Sequence, residues 1–379
     1  MRYVLQVFSS LNKGGAESRV MDLYRKLDRS KIQFSFAVTS PGEGFYMEEI
    51  RRLGGKIYTI KSWRETGFFR WVMQWKNVFS NTDVVHSHTG FESGLIVFLA
   101  WMFGVPKRIS HARDMLPESG HFHRMKEYLL RMMICCFSTD LIGCSYEAGN
   151  YIFGKRAMRT RGIFLPNAIQ LKHYQVMGEF NRADYRRSLG IDIDAFVLGT
   201  VGNLRKVKNQ GFMIDILKEL RKIIPDAVLI IAGEGHMRQS LLEYARKLKI
   251  EKSVYLCGQR NDIPEFLAGI DVFLLTSFSE GMPGSVIEAQ SAGVPSLLSD
   301  TITKDVDANV GLVRFLSLEA SAKVWAECIQ QMGMYTRPDL QMILSKMKVK
   351  NFDVEDSLKQ LLTIYFDYLP KRKEENVKD

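Results

Sequence analysis

The sequence predicts an α/β protein built from two doubly wound domains, each with a parallel sheet. Three observations carry that prediction. Short apolar runs alternate with helix-length amphipathic segments along the 379 residues. The length suits two domains better than one, at roughly 150 residues per domain. Both halves also open alike, with an apolar strand leading through a polar, glycine-containing loop into a helix. In the first half, Phe8-Ser9-Ser10-Leu11-Asn12-Lys13-Gly14-Gly15 precedes a helix near Ala16–Leu27. In the second, Val201-Gly202-Asn203-Leu204-Arg205-Lys206-Val207-Lys208 precedes one near Gln210–Ile223.

Taken in order, the first half offers strands at 3–8, 33–38, 56–60, 84–86, 107–110, 141–144 and 162–165. The second offers strands at 196–201, 227–231, 253–256, 272–275 and 296–299. Each is short, apolar and followed by turn residues. Residues 94–105 form the longest apolar stretch, too short for the roughly 20 residues of a spanning helix. This stretch reads as a buried helix ended by Pro106, and no transmembrane segment is expected. Residues 170–190 show no clear strand and read as the connection. The expected division is therefore a first domain at 1–170, a linker at 171–189 and a second domain at 190–353. A C-terminal helix at 354–370 is expected to pack back on the first domain, with Leu358, Leu361, Leu362, Ile364, Tyr365 and Tyr368 near helical spacing. Two such domains would place the carboxyl ends of both sheets at one cleft, where open α/β sheets bind ligands.

Composition excludes several classes. Apolar and charged fractions of 46% and 25% are those of an ordinary globular chain. The five cysteines have no repeated spacing and no Cys-x-x-Cys, so they read as reduced thiols in a cytosolic protein. The N-terminus is too short and polar for a signal peptide. Net charge is +10, and it is unevenly placed. Residues 1–170 hold 24 Lys and Arg against 14 Asp and Glu, while the remainder holds 28 of each. A neutral second half argues against a nucleic-acid binder. The absence of Gly-x-Gly-x-x-Gly after an opening strand argues against a hydride-transferring dehydrogenase.

The strongest chemical signal is Ser279-Glu280-Gly281-Met282-Pro283-Gly284-Ser285-Val286-Ile287-Glu288-Ala289, directly after the strand at 272–275. Its glycines let backbone approach a ligand closely. Helix-like sequence begins near Ser285, so free N–H groups would point toward the strand ends, an arrangement suited to a phosphate. Glu280 precedes that start and Glu288 lies about a turn inside it. Two carboxylates so placed can take hydroxyls of a ligand whose phosphates sit between them.

This segment resembles the Glu-x7-Glu motif of retaining GT-B glycosyltransferases, in particular glycosyltransferase family 4 and its bacterial polysaccharide-biosynthesis members. The resemblance extends in order along the chain. It includes Gly14-Gly15-Ala16-Glu17, Asp83-Val84-Val85-His86-Ser87-His88, Leu165-Pro166-Asn167-Ala168-Ile169, Ala232-Gly233-Glu234-Gly235 and Glu288-Ala289-Gln290-Ser291-Ala292-Gly293-Val294-Pro295. It implies a GT-B architecture of two Rossmann-like domains facing across a cleft. It implies transfer of a sugar from a nucleotide diphosphate donor, expected to be a UDP-sugar, to a hydroxyl with retained anomeric configuration. By this pattern Glu288 holds the ribose hydroxyls and Glu280 the donor sugar, while Gly281, Met282, Pro283, Gly284 and Ser285 bound the sugar and phosphates.

Lys208 matches the diphosphate-binding lysine of the family; a cation there stabilises the leaving group without a metal or other cofactor. The family usually has Arg where this chain has Asn203, and Arg205 would supply that second cation if its loop turns inward. Gly15 is expected at the donor phosphates, with Gly14 and Arg113 on the acceptor side and Asp114 beside them. Gly233 and Gly235 either line the nucleotide site or cap a strand. Arg260 matches by position alone, where family members hold the base through backbone groups. His111 matches an N-domain histidine near the donor sugar, orienting it and stabilising charge at the reacting carbon. The catalytic set implied is Glu280, His111 and Lys208. His86 and His88 read as strand-end packing; no third ligand is apparent and no metal is expected. Asp192-Ile193-Asp194 and Asp305-Val306-Asp307 read as solvated turns rather than metal-binding Asp-x-Asp.

Trp63, Trp71 and Trp75 fall among Phe68, Phe69, Phe79, Arg64, Arg70 and Lys76, with Trp71, Trp75 and Val78 on one helical face. A second basic and apolar stretch runs over 123–137. Such segments suit a bilayer interface. The expected partners are therefore a nucleotide-sugar donor, a lipid-linked or oligosaccharide acceptor and an anionic membrane surface under the basic first domain. The expected location is cytoplasmic, on the inner face of the membrane. Two alternatives remain open at this point: a nucleotide-sugar epimerase on the same fold, and a non-catalytic nucleotide-sugar-binding scaffold.

Overall fold

A computed structural model describes every residue except 13, 41, 43, 114–120, 176–179 and 368–379, and the side chains of 121–123 and 175. The described chain separates into two compact units. The first holds residues 1–113, 121–165 and 355–367; the second holds residues 166–354.

The first unit carries seven parallel strands: β1 Arg2–Phe8, β2 Ile32–Val38, β3 Ile57–Thr59, β4 Val84–Ser87, β5 Lys107–Ala112, β6 Asp140–Gly143 and β7 Gly162–Phe164. Their order is β3-β2-β1-β4-β5-β6-β7, so the winding reverses between β1 and β4. The second unit carries β8 Val197–Val201, β9 Val228–Ala232, β10 Val254–Leu256, β11 Val272–Leu275, β12 Ser296–Ser299 and β13 Val313–Leu316. Their order is β10-β9-β8-β11-β12-β13, with the reversal between β8 and β11. Central strands such as VLIIA of β9 are buried throughout, as expected for a sheet covered on both faces. Ligands of such sheets bind beyond the carboxyl ends of the strands at the reversal. That rule directs attention to the loops after β1 and β4 in one unit, and after β8 and β11 in the other.

The sequence reading differs from the structure at four places. β13 was not expected: Val-Arg-Phe-Leu is short, half-buried and interrupted by a cation, which suits an edge strand beside β12. The helix expected at 94–105 covers Ser93–Met102, four residues short of Pro106. It ends because Gly104 turns left-handed (φ +78°), with Gly104 and Val105 N–H donating to the carbonyls of Trp101 and Ala100. It is not wholly buried, since Leu95, Trp101 and Met102 face outward. Residues 182–188, read as linker, form a helix of the second unit, whose Arg182 and Arg186 both pair with Asp271.

The fourth difference concerns the aromatic helix Phe68–Phe79. Its Trp75 and Val78 are buried and Trp71 packs beside them, against Leu5, Val7 and Val85 of the sheet. That face belongs to the core, not to an external surface. The outward apolar residues are Phe68, Phe69 and Met73 of this helix and Trp63 of the short helix Trp63–Thr66 before it. The neighbouring helices Ser93–Met102 and His121–Phe137 add Trp101, Met102, Met125, Tyr128, Leu129 and Met132 to the exposed set. Among the described residues, no helix is long and apolar enough to cross a membrane.

The C-terminal helix Val354–Phe366 returns to the first unit. Lys26 pairs with Glu355, Gln360 donates to the Phe164 carbonyl, and buried Tyr365 bonds to Gln6 and His86. The basic tail at 370–375 lies outside the described residues.

Candidate active site

In the second unit, the loops flanking the strand reversal meet through one ion pair. Lys208 ends the 3₁₀ turn after β8, and Glu280 lies in the loop after β11. Lys208 Nζ donates to Glu280 Oε1 at 2.5 Å, and Ser277 Oγ donates to the same oxygen at 2.6 Å. Lys208 also lies over Gly202, where an added Cβ would stand 3.6 Å from its Cε. The loops are held together by backbone as well. Phe278 N–H donates to the Val207 carbonyl and Thr276 Oγ1 to the Asn209 carbonyl. The ammonium group has three donors, and two find no partner among the described residues.

The helix Gly284–Ser291 begins immediately after this loop. Pro283 precedes it and no side chain caps it; Val286 N–H donates to the Pro283 carbonyl, which leaves the Gly284 and Ser285 N–H groups to face an anion. Gly281, Met282 and Pro283 are buried; Gly284, Ser285 and Glu288 are half-buried. Asn167 fixes this loop, its Nδ2 donating to the Met282 carbonyl at 2.7 Å within buried surroundings. Nothing in the sequence singled Asn167 out for that task, although it sits in the conspicuous Leu165–Ile169 run.

Gly233 and Gly235 have a structural cause of their own. A Cβ on Gly233 would lie 2.1 Å from the Gly202 carbonyl oxygen, and one on Gly235 would lie 2.3 Å from that of Leu204. The loop after β9 therefore packs backbone to backbone on the loop carrying Lys208, tied by Leu204 N–H to the Glu234 carbonyl at 3.0 Å. Arg205 is exposed beside it. The Arg260 side chain is engaged elsewhere: it grips Asp262 through Nε at 2.8 Å and Nη2 at 2.5 Å, over the Tyr185 ring. The first Asp-x-Asp segment is a turn, with Asp194 N–H donating to Asp192, whereas the second runs out of the 3₁₀ helix Lys304–Val306, with Val306 buried and Asn309 N–H donating to Asp307.

In the first unit the site elements are Gly14, Gly15, His111 and Arg113. Gly14 is the N-terminal cap of the helix Gly15–Lys26. At Gly15 a Cβ would meet open space, so packing does not demand glycine there. Asp114 lies outside the described residues. His111, near the end of β5, is brought against His86 and His88 at the end of β4. The third imidazole not apparent in the sequence is thus His111: one nitrogen from each ring lies within 4.8 Å of the others. Their surroundings are those of a hydrogen-bonded cluster. His86 Nε2 meets His111 Nδ1 at 3.0 Å, His86 Nδ1 meets Tyr365 Oη at 2.7 Å, and His88 Nε2 meets Gln6 Oε1 at 2.9 Å. Arg113 Nε donates to His88 Nδ1 at 3.3 Å. Burial above all, with Arg113 adding to it, holds all three imidazoles well below their usual pKa, so they are neutral. A guanidinium in direct contact also disfavours a second cation here.

Comparison with known proteins places the chain in a family. Residues 181–326 match the family model for glycosyl transferases group 1. Over 369 residues, covering 96% of both chains, the sequence is 34% identical to EpsF of Bacillus subtilis strain 168, named as a glycosyltransferase with no substrate given. It is 26% identical over 337 residues to CapH of Staphylococcus aureus, a capsular polysaccharide biosynthesis glycosyltransferase (87% of this chain, 90% of that one). An Escherichia coli UDP-Gal:alpha-D-GlcNAc-diphosphoundecaprenol alpha-1,3-galactosyltransferase is 35% identical over 225 residues, 58% of each chain. Among solved structures, Anabaena Alr3699/HepE in complex with UDP and glucose aligns at TM-score 0.78 and 19% identity, covering 96% of this chain and 98% of that one. That likeness shows the fold, the GT-B architecture of two parallel-sheet α/β domains. With a relative at 34% identity along nearly its whole length, the chain belongs to the group 1 glycosyltransferases.

Proposed function

We propose that the chain transfers a sugar from a UDP-sugar to a hydroxyl of a lipid-linked or oligosaccharide acceptor, with retained anomeric configuration and no metal, in cell-surface polysaccharide biosynthesis. The observation that carries this reading is the Lys208–Glu280 pair, set at the strand reversal beside an uncapped helix start. Donor and acceptor classes draw support from the names of the E. coli and S. aureus relatives and from the UDP in the Anabaena structure.

On this reading the helix start and Lys208 receive the diphosphate, Glu288 the ribose hydroxyls and Glu280 the sugar hydroxyls. As the bond to the anomeric carbon breaks, negative charge grows on the diphosphate, and Lys208 stabilises it where it forms. The acceptor hydroxyl attacks from the same side and gives its proton to the departing phosphate oxygen. Buried, neutral His111 orients the sugar rather than acting as a base. Arg205 supplements Lys208, and Gly15 with Gly14 and Arg113 serves the phosphates and acceptor. The exposed aromatics and methionines of the first unit, beside Arg64, Arg70, Arg124 and Lys126, suit adsorption to an anionic lipid surface and support a location at the cytoplasmic face of the membrane.

The test is a panel of UDP-sugars, each incubated with undecaprenyl-diphosphate-linked acceptors in EDTA. One sugar is expected to appear on lipid with the donor's anomeric configuration by NMR. An inverted product refutes retention, turnover that returns only with a divalent cation refutes metal independence, and an epimerised free donor refutes transfer.

A further inference from the structure

The histidine cluster of the first unit has a direction. Arg113 can only donate, so His88 Nδ1 is the acceptor at 3.3 Å and the neutral ring carries its proton on Nε2. That proton goes to Gln6, which therefore presents Oε1 to His88 and Nε2 to Tyr365 at 2.9 Å. Tyr365 Oη, accepting from Gln6, satisfies its own buried hydrogen by donating to His86 Nδ1 at 2.7 Å. His86 then carries its proton on Nε2 and gives it to His111 Nδ1 at 3.0 Å. His111 is left with a proton on Nε2. That atom is buried, in a residue only 2% exposed, and has no hydrogen-bond partner among the described residues. A buried N–H without a partner is costly, and a ligand oxygen would relieve it.

We propose that Gln6, Tyr365 and His86 are positioning residues that lock His111 in the Nε2–H tautomer, so that it donates a hydrogen bond to a sugar hydroxyl oxygen or an acceptor oxygen and cannot accept a proton there. The relay ties the C-terminal helix, through Tyr365, to the ends of β1, β4 and β5. It explains why a glutamine, otherwise out of place in a buried central strand, sits at position 6. Burial keeps the three rings neutral, as the relay requires. The ligand assigned to His111 rests on the glycosyltransferase reading above; the tautomer itself does not.

The test is a long-range proton–nitrogen correlation spectrum of the full-length protein labelled with 15N-histidine, near pH 7. Three neutral imidazoles protonated at Nε2 and bare at Nδ1 are expected for His86, His88 and His111. Tyr365→Phe removes the proton offered to His86, and mixed tautomers should appear at His86 and His111. Gln6→Glu makes position 6 accept from Tyr365 as well as from His88, so it should reverse the relay and move both protons to Nδ1. Either variant suffices if the other fails to fold. In transfer assays, Tyr365→Phe should lower kcat at least tenfold with KM for the donor unchanged. Wild-type rings protonated at Nδ1, or tautomers unmoved in both variants, overturn the proposal. The predicted tautomers in a protein that transfers no sugar uphold the relay, and that result counts against the proposed activity alone.

Discussion

Glu280 Oε1 takes hydrogen bonds from both Lys208 and Ser277, so the carboxylate is fixed before any ligand arrives. Removing Lys208 or Glu280 leaves the other's charge half-buried without its counter-ion. Lys208→Ala and Glu280→Ala should each reduce transfer at least 10²-fold, a loss of about 3 kcal/mol in transition-state stabilisation. Initial rates, with circular dichroism confirming the fold, check this. The neutral histidines set a pH dependence of stability. Their folded pKa lies below the unfolded value of about 6.5, so the unfolded chain binds more protons in acid. Their contribution is complete above that value and is lost as pH falls through and below it. Stability should therefore fall as the pH drops below about 6.5. Urea titrations at pH 7.5 and 5.5 measure it.

At the scale of elements, the site depends on loops pinned from behind. Asn167 holds the Met282 carbonyl, and Asn167→Ala should weaken donor binding about tenfold, read by calorimetry with UDP. Gly235→Ala forces a methyl onto the Leu204 carbonyl and should destabilise the second unit by ~1–3 kcal/mol, read as a lowered melting transition. Much of this level is legible in the sequence. The strands are short apolar runs closed by turn residues, and twelve of them appear within a residue or two of the expected places. β13 escaped because an edge strand needs little apolar character. The Lys208 and Glu280 loops were legible from glycine, charge and a helix start in succession. Their direct pairing was not, since it depends on a strand order that puts β8 beside β11. The roles of Asn167, Gln6 and Tyr365 were invisible for the same reason: each meets its partner far along the chain.

At the scale of the molecule, the charge surplus lies entirely in residues 1–170, and the outward aromatics of the first unit lie among those cations. The sequence pointed to this segment through Trp71, Trp75 and Val78, and that face packs on the sheet. Periodicity identifies an apolar stripe without saying whether a sheet or a bilayer covers it, and here the Trp75 stripe went to the sheet. Phe69, 84% exposed, is the better probe. Phe69→Ser should leave the fold intact and reduce sedimentation with anionic vesicles several-fold, while neutral vesicles bind neither protein; equal binding to both vesicle types contradicts membrane docking. The two units thus divide the proposed work: the neutral one takes the nucleotide sugar, and the basic one meets the acceptor and its lipid. The measurement closest to the central claim is calorimetric titration of UDP and a transferable UDP-sugar into wild type and Lys208→Ala in EDTA. The account predicts metal-free binding by the wild type and a loss of at least tenfold in the variant; equal affinity in the two proteins, with equal turnover, would contradict it.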